Sequence, residues 1–209
     1  MLRLVVPPHL EPPVTLSLAL TGASGAVLAR LALERLENDP RVGHVDLVAS
    51  PHGLRVAREE LALPEGRLDQ LAARLLGRDS DKIQVHDDRD IGANIASGSY
   101  PSQGMIVLPC SMGTCAALAH GMADSLIERA GDVCLKEHRP LLLAVRETPL
   151  HRIHLRNLLT LDEAGATVFP VMPAFYDQAN TIEAMADQFV ARLLTHFGLN
   201  QATMFQWQG

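Results

Sequence analysis

Apolar residues along the chain gather in short β-branched and leucine-rich runs, and between those runs they recur at helical spacing. The runs predict strands at Val14–Leu20, His44–Ala49, Gly104–Leu108, Leu141–Val145 and Thr167–Val171, with a weaker sixth at Lys82–His86. The intervening pattern predicts helices at Ala26–Glu37, Gly53–Leu61, Leu68–Leu76, Thr114–His120, Ser125–Lys136, Leu150–Leu161 and Ile182–Phe197. Strands separated by helices are laid parallel by right-handed crossovers, so the expected class is α/β with a parallel sheet.

Composition narrows the picture. The 209 residues, 47% hydrophobic and 20% charged, suit a single domain over 1–209 with an irregular N-terminal arm (1–13) and C-terminal tail (199–209). No apolar run approaches the roughly 20 residues that span a bilayer. Prolines interrupt "MLRLVVPPHLEPP" where a signal peptide would need unbroken apolar sequence, so a cytoplasmic protein without membrane contact is expected. A formal net charge of -6 argues against a nucleic-acid partner, which needs a basic surface to displace counterions. Cys110, Cys115 and Cys134 form no CxxC pair and read as small buried residues, and no metal site is indicated. Within this acidic chain the segment from Arg129 to Arg156 is locally basic, carrying Arg129, Lys136, Arg139, Arg146, Arg152 and Arg156. Solvated helix faces explain each singly; a small anionic ligand would explain the group.

In open parallel sheets, ligands bind beyond the carboxyl ends of the strands, and the unusual residues of this chain fall there. "LALTGASGAV" places Thr21, Gly22, Ala23, Ser24 and Gly25 between a strand and a helix, where small residues and free N–H groups can cradle a phosphate. Leu28 stands where a dinucleotide fingerprint has its third glycine, and no P-loop lysine follows, so an ordinary tight turn fits equally well. "PCSMGT", Pro109 to Thr114, repeats the device with Ser111, Gly113 and Thr114. "ASGS", Ala96 to Ser99, is either a loop that closes over a flat ligand or a plain surface loop. Arg146 and Glu147 end a strand expected to be buried, where a charged pair is costly unless it serves a ligand. Tyr176 and Arg192, taken singly, fit structural roles, whereas Trp207, the sole tryptophan, reads as cover for a cavity or a neighbouring subunit. "DDRD" at Asp87 to Asp90 reads as a solvated turn, and His151 with His154 lacks further ligands at metal-binding spacing. A short-chain dehydrogenase would carry lysine four places after Tyr176; Asn180 stands there.

Taken in order, "TGASGA", "ASGS", "PCSMGT", "LIERAGDVCLKEHRPLLLAVRETPL" with "HLRNLL", "PAFYDQ" and "FQWQG" resemble the flavin prenyltransferases, the UbiX family. The resemblance runs from about Leu16 to Gln208, and "LKEHRPLLLAVRETP" is its most discriminating stretch. It implies a three-layer α/β/α sandwich, flavodoxin-like or Rossmann-like, that takes reduced FMN as substrate. The implied reaction joins a dimethylallyl group from dimethylallyl monophosphate to N5 and C6, without a metal. The prenylated FMN produced serves a UbiD-like decarboxylase, as in ubiquinone synthesis. By position, Gly22, Ala23, Ser24, Ser50, Ser111, Met112, Gly113, Thr114 and Arg146 match FMN-binding residues. Arg129, Lys136, Arg146, Tyr176 and Arg192 match those gripping the prenyl phosphate, with Trp207 enclosing the site. Glu147 matches a glutamate that assists proton transfer, and Glu60, or its neighbour Glu59, a second site glutamate by its spacing from Ser50. Family members are dodecamers with sites shared between subunits, so a homo-oligomer is expected. Pro51 and His52 depart from the family pattern after Ser50, as does Gln206 before Trp207. Two alternatives stand beside this one: an FMN-dependent cysteine-type decarboxylase, and a non-catalytic FMN-binding accessory subunit.

Overall fold

The computed structural model describes residues 10–176 and 179–205. Six strands form one sheet: β1 (Val14–Leu20), β2 (Val42–Ala49), β3 (Ile83–Asp87), β4 (Met105–Cys110), β5 (Leu141–Val145) and β6 (Thr167–Val168). Their order is β3-β2-β1-β4-β5-β6, and every neighbouring pair is parallel. The helices are α1 (Ala26–Asn38), α2 (Pro51–Leu61), α3 (Leu71–Leu76), α4 (Met112–Ala119), α5 (Leu126–Lys136), α6 (Arg152–Glu163) and α7 (Ile182–His196).

Alternation along the central strands sends side chains into two separate cores. Leu16, Leu18, Leu20, Ile106, Leu108, Leu142 and Ala144 pack with apolar residues of α1, α3 and α7 on one face. Ala19, Met105, Val107, Leu141, Leu143 and Val145 pack with α4, α5 and α6 on the other. Two helical layers therefore enclose the sheet, because strands buried on both faces need apolar cover on each.

Predicted and observed elements differ mainly where backbone donors need partners. α2 and α4 begin two residues before their predicted starts, because Ser50 and Ser111 accept the N–H groups of Gly53 and Thr114 as N-caps. Pro51 follows its cap, the first helical position, where a missing N–H costs nothing. The predicted helix over 68–76 divides into a 3-10 turn at Leu68–Gln70 and the short α3. The strand predicted over 167–171 is regular only at Thr167–Val168, yet Phe169 and Val171 still donate to Leu143 and Val145. Pro170 between them has no N–H to give. "DDRD" is not wholly solvated: Asp88 is 7% exposed, and its carboxylate and carbonyl accept the N–H groups of Ile127 and Leu126 at the start of α5.

Helices α1, α3 and α7 cover one face, α4 to α6 the other, and strand order reverses between β1 and β4. Adjacent connections leave the sheet in opposite directions there, opening a crevice at the carboxyl edge.

Candidate functional site

Thr21 joins the two turns that border this crevice. Its hydroxyl donates to the Pro109 carbonyl (2.8 Å) and accepts the Ser111 N–H (2.8 Å), while its own N–H donates to Pro109 (3.2 Å). A third turn is drawn in by the Ser50 N–H donating to Leu20 (2.9 Å). The first turn of α2 lies so close to the end of β1 that a Cβ at Gly53 would meet the Leu20 carbonyl oxygen at 2.5 Å. Sequence reasoning placed Thr21 in the turn without seeing this role, since a hydroxyl at a strand end does not reveal its partner 88 residues away.

Gly25 caps α1 at φ 117°, a conformation that a side chain disfavours, and contributes no capping oxygen. That function passes to Glu60 on α2, whose carboxylate accepts from the N–H groups of Gly25 (3.0 Å) and Ala26 (2.7 Å) and from the Ser24 hydroxyl. Partial burial works against its ionisation, but the Ser24 hydroxyl, the two amides and the charge of Arg146 outweigh it. The Glu60 carboxyl is held below its ordinary value. Glu59 points elsewhere and pairs with Arg55 at 2.8 Å on the open surface, so Glu60 is the glutamate at the turn.

At the neighbouring turn, the Ser111 hydroxyl lies 3.1 Å from that of Thr114 and accepts the Thr114 N–H. Among the described residues, the N–H groups of Ser24, Met112 and Gly113 have no hydrogen-bond partner. Helix first-turn donors of this kind are the groups that anions and polar ring edges satisfy. Ser50 lies on the same edge, at the cap of α2. Gly22 and Ala23 complete the first turn, Gly22 exposed and Ala23 buried.

Arg146 and Glu147 extend from β5 onto this edge, tied to it by the Arg146 N–H donating to Cys110 (3.1 Å). Both are exposed, so the burial cost inferred from sequence does not apply: the buried strand ends at Val145. The Glu147 carboxylate accepts the N–H of Thr148 at 2.9 Å. The chain after β6 carries Met172 and Tyr176 to a cavity of about 270 Å³, shared with Gln188, Phe189 and Arg192 of α7 and with Met204 and Phe205. Tyr176 and Arg192 thus meet, although nothing in their spacing indicated it. Trp207 lies outside the described residues.

The basic segment is not one cluster. Arg129 sits in the first turn of α5, bound to Asp132 at 2.7 Å. Lys136 ends α5, bound to Glu137 at 2.7 Å, where the chain is about to enter β5 at Leu141. That is the amino edge of the sheet, as the Met105 N–H donating to Pro140 shows. Lys136 and Arg146 therefore stand at opposite ends of β5, roughly 15 Å of strand apart. "ASGS" lies with Lys136: the Gly98 carbonyl accepts from Arg139, and a Cβ on Gly98 would meet the Lys136 Nζ at 2.9 Å. Contrary to a lid over the chain's own carboxyl edge, this loop belongs to the opposite edge, because residues 88–104 return the chain to the start of β4. His151 is not free for other ligands through Nδ1, which accepts the N–H groups of Ile153 and His154 as the cap of α6. All three cysteines are buried, as read from the sequence.

The Flavoprotein family profile matches residues 6–194. The flavin prenyltransferase UbiX of Alkalihalophilus pseudofirmus is 39% identical over 193 residues, covering 92% of this chain and 95% of its own. The structure of AnUbiX (PadA1) in complex with FMN and dimethylallyl pyrophosphate superposes with TM-score 0.80 at 41% identity, covering 94% and 98% of the two chains. A dodecameric FMN-dependent UbiX-like decarboxylase from Escherichia coli O157:H7 superposes with TM-score 0.84 at 40% identity, covering 94% and 100%. The FMN-dependent cysteine decarboxylases are similar at the level of fold alone, as with TvaF at 18% identity and TM-score 0.56.

Proposed function

The chain belongs to the UbiX flavin prenyltransferase family, and on that premise we propose how its own residues carry the reaction. The protein transfers a dimethylallyl group from dimethylallyl monophosphate to reduced FMN, giving prenylated FMN. The observation that carries this is the meeting of three small-residue turns at the sheet's switch point, in a chain whose Tyr176 and Arg192 share one cavity.

The residues present fit a flavin mononucleotide. Open amides at Ser24, Met112 and Gly113 and hydroxyls at Ser50, Ser111 and Thr114 offer donors for its polar edge and phosphate, with Gly22 and Ala23 small enough for close approach. Arg146 supplies a cationic fork at the same edge. When bound, reduced FMN supplies N5 and C6 as the atoms to be prenylated.

A monophosphate is a poor leaving group, so the departing charge must be met by preorganised donors. Arg192 and the Tyr176 hydroxyl, which share one cavity, would supply part of that set, and Arg146 at the end of β5 another part. Arg129 and Lys136 are assigned to the same task, and because Lys136 lies at the other edge of its own sheet, it would reach the site from a second copy of the chain. A shared site of this kind accords with a homo-oligomer, a dodecamer by similarity. Glu147 would move the proton released at C6, and Glu60 would hold the Ser24 hydroxyl and the turn in place. Trp207 is assigned to enclosing the allyl group. The product would be consumed by a decarboxylase of the UbiD kind.

Anaerobic incubation of the purified oligomer with reduced FMN and dimethylallyl monophosphate, followed by mass spectrometry of the flavin, tests the reading. A gain of one dimethylallyl unit is expected; flavin of unchanged mass would overturn it.

A further inference from the structure

One wall of the cavity containing Tyr176 and Arg192 comes from the segment that follows α7. Met204 and Phe205 belong to the segment that follows α7, and the Phe205 ring lies 5.5 Å from that of Tyr176. One side chain holds this segment against α7. The Gln188 Nε2 donates to the Thr203 carbonyl (3.2 Å), and its Oε1 accepts the Phe205 N–H (2.9 Å). The chain turns over residues 201–204, where the Met204 N–H donates to Gln201 (3.2 Å), and the amide clasps the backbone on both sides of that bend.

The fastening is reinforced from α1. Arg35 binds both carboxylate oxygens of Asp187 (2.8 and 2.7 Å) and donates to Gln201 (3.0 Å) and to the Thr203 hydroxyl (3.1 Å). Among the described residues, Gln188 alone has a side chain bonded to the backbone on both sides of Met204, one helical turn before Arg192.

We propose that Gln188 is a positioning residue for the prenyl-phosphate site: its amide pins residues 203–205 so that Met204 and Phe205 wall the cavity in which Tyr176 and Arg192 meet substrate. This rests on the reading of that cavity given above. Closing that wall removes water from around the guanidinium and the phenol, which strengthens their hold on a phosphate and shields an allylic group from hydrolysis. Gln188 touches neither FMN turn, so its loss bears on one substrate and not the other.

Steady-state kinetics in dimethylallyl monophosphate, FMN titration and hydrogen exchange at the Phe205 amide test the proposal on the intact oligomer. Gln188→Leu keeps the bulk and removes both bonds. It should raise KM for the prenyl phosphate about tenfold, change kcat less than about twofold, leave FMN affinity unchanged and speed Phe205 exchange. Gln188→Glu keeps the acceptor for Phe205 and should fall between the two. Should the leucine variant not assemble, the glutamate variant is judged by the same criteria. An unchanged KM, or a parallel loss of kcat and FMN affinity, overturns the role of Gln188. Arg192→Ala separates the two levels: if it raises KM and Gln188→Leu does not, only Gln188 is misassigned, whereas if neither does, the reading of the cavity falls with it.

Discussion

Thr21 and Ser111 are bonded across the switch point: one hydroxyl accepts the Ser111 N–H at 2.8 Å and donates to Pro109 at 2.8 Å. The bond fixes the first turn of the chain against the turn that starts α4, and both carry residues assigned to FMN. Thr21 is buried, and the Ser111 N–H that it accepts is part-buried.

Thr21→Val should therefore leave the part-buried Ser111 N–H without its partner at nearly unchanged volume, costing about 1 kcal/mol in urea unfolding. FMN affinity should fall with it, because the two turns are no longer held at one spacing. A variant equal to the parent in both measurements would show that the turns are set independently.

Glu60 makes stability depend on pH with a definite sign. Its folded carboxyl titrates below the ordinary glutamate value, so its contribution is present above that value, about 4.3, and is lost as pH falls through the folded value. Glu60→Gln should thus be less stable than the parent at pH 7, by up to about 1 kcal/mol from the helix-terminus interaction. The difference should shrink below pH of about 4, as the parent's own carboxyl protonates. Urea unfolding across that range checks it, and a gap that persists at low pH would refute the charge-based account.

The opposite placement of Lys136 and Arg146 gives a test of a shared site. Lys136→Ala and Arg146→Ala should each be nearly inactive as homo-oligomers. Coexpressed, they should regain up to about a quarter of parental activity, since random assembly forms some interfaces with both intact residues. No recovery in mixed oligomers would place both residues in one subunit's site, against the geometry of a single chain.

Local sequence determined the six strands and seven helices closely, because each buried strand needs an unbroken apolar run and each helix a 3.6-residue stripe. The caps at Ser50 and Ser111 moved boundaries by two residues, a shift set by one side-chain bond rather than by periodicity. The motifs also determined the family, and with it the candidate residues. Tertiary structure decided what spacing along the chain cannot carry: which glutamate turns toward Gly25, that Thr21 ties β1 to β4, and that Tyr176 and Arg192 share a cavity. It also decided that "LKEHRPLLLAVRETP", though continuous in sequence, is divided in space. A parallel sheet sends its helices back from carboxyl to amino edge, so the two ends of β5 carry Lys136 and Arg146 apart by the full length of a strand.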